Sequence, residues 1–129
     1  MHAVSAVNKN SIVRHVLLGT PASTLLIGIE ALEVQAFLFS RIERLADDEV
    51  AELVRFGYRA AAEAVAACHA LADEYDDIGA FDCLSRVVSG HRIAKNLLLA
   101  IVELADVDVA KQAQLGVTLA MSVLDDLGA

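Results

Sequence analysis

Residues 86–96 read RVVSGHRIAKN. Arg86, His91, Arg92 and Lys95 stand together in a chain of 129 residues that carries a formal charge of −8. A histidine titrates near neutrality and can trade a proton with a substrate. A nearby guanidinium can stabilise the charge of a phosphoryl group in a transition state. Arg86 and His91 are therefore the residues of this chain most suited to acid/base work on a phosphate ester.

The spacing Arg86-x-x-x-x-His91 resembles the R-x(4–6)-H motif of HEPN-type ribonucleases, small all-α proteins of about this length. The position after the arginine, usually polar in that family, is Val87 here. The resemblance implies metal-independent RNA cleavage at a composite site across a dimer. His91 would act on the ribose 2′-hydroxyl and Arg86 on the phosphate. The stretch HRIAKN is also similar to the H-R-x-K-N box of a histidine-kinase phosphoacceptor helix, lengthened by one residue. That resemblance implies phosphotransfer through His91.

Helical geometry offers a plainer alternative. At roughly 100° per residue, Ser85, Ser89, Arg92, Asn96 and Glu103 share one stripe, that of a solvated face. His91 falls with Leu84, Val88, Leu98 and Val102 on the apolar side. A histidine so placed is expected to be a neutral, hydrogen-bonded core residue, because burial disfavours its charged form. His91, Arg92 and Lys95 remain candidates for an interaction or switch role.

Carboxylates form the second group. LLIGIEALEVQAFLFSRIERLADDEV resembles the first helix of a ferritin-like bundle, with Glu33 on an apolar helix and Glu63 one hairpin away. Di-metal bundles of that kind need two glutamates and two Glu-x-x-His pairs pointing inward. Ala66 stands three residues after Glu63, His69 is off the spacing, and only Glu103 is available on the third helix. The wheels direct Glu33 and Glu63 outward, so no metal centre is expected, and no cofactor. Gly-rich phosphate loops, G-x-S-x-G and Walker motifs are missing.

Composition narrows the classes further. Hydrophobic residues make up 57% of the chain while aromatics are 5% and Trp is absent, so the apolar mass is the Ala, Leu, Val and Ile of close-packed helices. The negative charge disfavours a phosphate backbone as partner and favours a basic one. The two cysteines, Cys68 and Cys83, make no Cys-x-x-Cys pair and imply a reduced, cytoplasmic setting. Cys68 lies on a small-residue seam; Cys83 is expected nearer an edge and more reactive. MHAVSAVNKN has no charged start followed by an apolar signal core. The apolar stretch 16–40 is interrupted by Gly19-Thr20-Pro21, Glu30 and Glu33, which suits a buried helix better than a membrane span.

These elements predict an all-α fold: an up-down-up-down four-helix bundle with an additional short N-terminal helix, forming a single domain over 1–129. Residues 1–10 are expected to be a flexible or docking arm. Ser11 caps a short helix, SIVRHVLL, ended by Gly19. Thr20-Pro21 restarts the chain into a helix to about Ala46. A second helix starts at Asp47-Asp48 and ends near Asp76-Asp77. A third runs from about Ala80–Asp82 to Ala105, with Gly90 as a point of kinking or splitting. Asp108 caps the last helix, which reaches about Leu127.

The helix from Pro21 is apolar over more surface than one interior needs, and Phe37 and Leu26 lie near its polar stripe of Glu30, Glu33, Arg41 and Arg44. Such a surface needs a cover: the short N-terminal helix, a second subunit or a partner. The expected function is therefore non-enzymatic: self-association, with a dimer favoured, or binding of a protein partner as adaptor, subunit or acidic inhibitor. The HEPN-like ribonuclease using Arg86 and His91 is the enzymatic alternative. A degenerate ferritin-like bundle, or a small apolar ligand pocket beside Phe37, Phe39 and Phe56, is the third.

Overall fold

The computed structural model describes residues 22–72 and 77–129. Four helices account for nearly all of them: α1 (Ala22–Leu45), α2 (Asp48–Ala72), α3 (Asp77–Leu104) and α4 (Val107–Asp126). No strand occurs among the described residues. The expected N-terminal arm, the helix SIVRHVLL and the Thr20-Pro21 restart lie outside the described residues.

Local chemistry sets the boundaries. Ala46 and Asp47 are all that separate α1 from α2, and Asp47 Oδ1 lies 3.4 Å from the Val50 amide as an N-terminal cap. Asp48 and Glu49 then place negative charge at the positive end of the α2 dipole. The cap of α4 is Asp106 and not Asp108. Asp106 is extended (φ −68°, ψ 174°), and its Oδ1 accepts from the Val109 amide at 3.1 Å. The Ala105 amide still bonds back to Ile101, so the turn is short and the cap falls two residues earlier than expected. Asp108 is left in the first turn of α4, where its charge still suits the dipole.

Two further expectations are corrected. α3 already begins at Asp77, ahead of the expected Ala80–Asp82, so Gly79 lies inside its first turn, while the expected end of α2 near Asp76 falls outside the described residues. Gly90 does not split α3, which runs unbroken through it. Gly90 is buried because a Cβ there would come within 3.0 Å of Leu32 Cδ2, so its bareness serves close packing on α1.

Each helix packs on its neighbours in sequence, and α1 also packs on α4 and more lightly on α3. Two contacts fix the relative direction of α1 and α2. Glu33 meets His69 and Glu43 meets Arg55, so α1 and α2 run antiparallel. Cys68 meets Cys83 between α2 and α3, and Gln35 meets Gly116 between α1 and α4. The core forms two clusters. One gathers around Phe39, Ile42, Val54, Leu98, Ile101 and Val117; the other around Leu25, Ile29, Leu32, Cys68, Cys83 and Val87. Along α1, Gln35 separates the two; along α3, His91 does.

Candidate functional site

Gln35 and His91 are the two fully buried polar side chains among the described residues, each with 0% exposure. His91 reaches this position because Gly28 has no side chain. A Cβ on Gly28 would stand 2.8 Å from Val87 Cγ1, so only glycine lets α3 come this close to α1. Val87 and His91 are one turn apart on α3 and meet α1 at this glycine. His91 Nε2 lies 2.9 Å from the Gly28 carbonyl oxygen. A carbonyl can only accept, so Nε2 carries the proton and donates. The ring is then neutral, with Nδ1 as its acceptor lone pair. Nδ1 is buried with no hydrogen-bond partner among the described residues. Burial lowers the His91 pKa below the ordinary 6.5, and the bond to Gly28 opposes that only in part.

Gln35 repeats the arrangement two turns further along the same side of α1. Its Nε2 donates to the Gly116 carbonyl at 2.8 Å, and its Oε1 has no hydrogen-bond partner. Gly116 is again a point of close approach. A Cβ there would lie 2.6 Å from Leu38 Cδ2 and from Leu98 Cδ1, and 2.8 Å from Gln35 Oε1. The sequence signal for Gln35 is its place on the helical wheel. It stands three residues after Leu32 and four before Phe39, on the apolar stripe of α1.

The basic stretch does not converge. Arg86 is exposed and its Nε stands 3.6 Å from Asp82 Oδ2, one turn back on its own helix. His91, five residues on, is inside the core. The ribonuclease arrangement needs both groups on one accessible cleft, and a phosphoaccepting His91 needs its own ring accessible. Here only Arg86 meets solvent. Arg92 and Asn96 are exposed, while Lys95 is half-buried and borders an open depression with Met121, Ser122 and Asp125.

Glu33 and Glu63 both face outward. Glu33 Oε1 lies 3.3 Å from His69 Nε2 on the open surface between α1 and α2. No group of three or more His, Cys, Asp or Glu side chains suited to a metal ion occurs among the described residues. The three phenylalanines proposed to border a ligand pocket do not meet. Phe39 is buried against Gly57, while Phe37 and Phe56 are exposed. Cys83 is buried, not at an edge, and lies beside Cys68, whose thiol is 3.8 Å from the Cys83 carbonyl. The contact with Cys83 and burial together push the Cys68 thiol far above its usual range.

Large apolar side chains are also exposed on every helix, among them Phe56, Phe81 and Leu115. On the outer face of α1, Phe37 is 64% exposed between Glu30, Glu33, Arg41 and Arg44, all exposed themselves, and Leu26, one turn before Glu30, is 42% exposed. No described helix is long and apolar enough to cross a membrane. Neither a protein-family model, nor a curated protein, nor a solved structure matches this chain.

Proposed function

We propose that this protein is a non-enzymatic helical bundle that works by association, forming a homodimer or seating a protein partner on the outer face of α1. In this reading the four helices run up-down-up-down, with the segment SIVRHVLL as an additional short helix, and the protein works in the reducing cytoplasm. The antiparallel contacts of α1 with α2, and the contacts of α2 with α3 and of α1 with α4, support that topology.

The observation that carries the functional reading is the 64% exposure of Phe37, on a helix whose opposite side already fills the core. A large aromatic held in solvent costs free energy that a contact recovers. The buried polar groups play a structural part: His91 ties α3 to the α1 backbone at Gly28, and Gln35 ties α1 to the α4 backbone at Gly116. The acidic surface disfavours a nucleic acid and favours either a basic protein surface or a self-complementary contact that locally cancels charge.

Light scattering over a wide range of protein concentration tests this reading. A mass that rises toward twice that of the chain supports self-association. A constant single-chain mass at the highest concentration counts against it.

A further inference from the structure

Resting on the association reading, we propose that the partner is a second copy of this chain, bound through α1 against α1 in antiparallel fashion, with the two-fold axis passing at Phe37. The outer face of α1 reads, from its N-terminal end, Leu26, Glu30, Glu33, Phe37, Arg41, Arg44. At 3.6 residues per turn these positions fall within about 80° of one another, so they form a single stripe. All six are exposed.

The order of charges on that stripe is antisymmetric about Phe37. Glu30 and Arg44 stand seven residues to either side of it, and Glu33 and Arg41 four. A two-fold axis at Phe37 brings Glu30 of each copy to Arg44 of the other, and Glu33 to Arg41. The two Phe37 rings then meet at the axis as an apolar centre between four ion pairs. This is the self-complementary patch that a closed two-fold dimer requires. A parallel pairing would set glutamate on glutamate and arginine on arginine, which is repulsive.

Two observations show that these charges are available. Among the described residues, Glu30, Arg41 and Arg44 make no ion pair, and Glu33 has only the exposed His69 at 3.3 Å. The stripe is also locally neutral in a chain of charge −8, so it is a face on which two such chains can approach without net repulsion. Exposed ion pairs contribute little each, so the charges set register and orientation while the aromatic centre supplies burial.

The test is a charge-exchange experiment. Two variants are made in the full chain, Glu30→Arg with Glu33→Arg, and Arg41→Glu with Arg44→Glu, and each is studied by sedimentation velocity alone and as an equimolar mixture. Circular dichroism checks that both remain helical, as expected for exposed positions. Each variant alone presents a stripe of one sign, and its dimer dissociation constant should rise by at least roughly tenfold over the unmodified chain. The mixture should restore dimer to the unmodified level or beyond, because a positive stripe then faces a negative one. Phe37→Asp, which sets two carboxylates on the axis, should dissociate the dimer by itself. An unmodified dimer whose constant neither double variant changes, or a mixture that fails to re-form dimer, overturns the α1 interface while leaving association intact. An unmodified chain that stays monomeric overturns both.

Discussion

His91 donates from Nε2 to the carbonyl oxygen of Gly28 at 2.9 Å, across a helix contact that exists only because Gly28 has no Cβ. The pair joins α3 to α1 and leaves the ring neutral, with Nδ1 buried and unpartnered. Its consequence is thermodynamic. Burial holds the folded-state pKa of His91 below 6.5, so as pH falls through that value the unfolded chain takes up a proton that the folded chain refuses. Stability is therefore lost on going below about pH 6.5 and flattens once the folded-state pKa is passed; above 6.5 the effect vanishes. Urea unfolding between neutral and mildly acidic pH should show the unmodified chain losing more stability than His91→Gln. Equal pH slopes for the two chains would show that His91 is not the group responsible.

Gly116→Ala should destabilise, although alanine is ordinarily the better helix former by about 0.5–1 kcal/mol. The added methyl would come within 2.6 Å of both Leu38 and Leu98, and one of them must leave its rotamer or the helices must part. Overpacking of this kind costs roughly 1–3 kcal/mol, which outweighs the propensity gain. A raised melting temperature for Gly116→Ala would show that α1 and α4 are further apart than described.

Gln35→Leu offers the opposite test. The amide makes one hydrogen bond and leaves Oε1 unpartnered in the core, so the gain from the bond is largely offset by the orphaned acceptor. Leucine is close in volume and leaves nothing unsatisfied of its own. The substitution should alter stability by no more than about 1 kcal/mol in either direction, whereas Gln35→Ala, which opens a cavity, should cost roughly 2–4 kcal/mol. Equal losses for both would mean the amide bond carries the contribution and not the volume.

The cysteines should be silent to alkylation in the folded chain. Both are buried, and the Cys68 thiol is held far from its reactive thiolate form. Iodoacetamide labelling monitored by mass should proceed only at the rate of unfolding and accelerate with urea in step with it. Rapid labelling of Cys83 in native buffer would instead place it at an edge, as its sequence position first suggested.

Much of the frame was legible in the residues. The apolar face of α4, from Val109 through Ala113 and Gly116 to Leu124, is buried as its periodicity predicts, and the acids Glu33 and Glu63 point outward. What periodicity handles poorly is polar chemistry at apolar positions. Gln35 lies on the core stripe, yet its type marks it as surface, and only the facing Gly116 carbonyl explains it. Asp106 and Asp108 are equally good caps by type, and the choice between them depends on how far α3 runs before the turn. On α2, Val50, Val54 and Ala61 are buried, and the Phe39 ring occupies the space above Gly57. Cys83 followed the same rule: a helix edge in isolation became interior once α2 lay against it.

Sedimentation equilibrium of the unmodified chain, over loading concentrations that span the expected association, tests the central claim most directly. The account predicts a single reversible monomer–dimer equilibrium that reaches twice the chain mass and is weakened by added salt, since charge pairs set the register. A chain that sediments at its own mass at every concentration and salt level would contradict it.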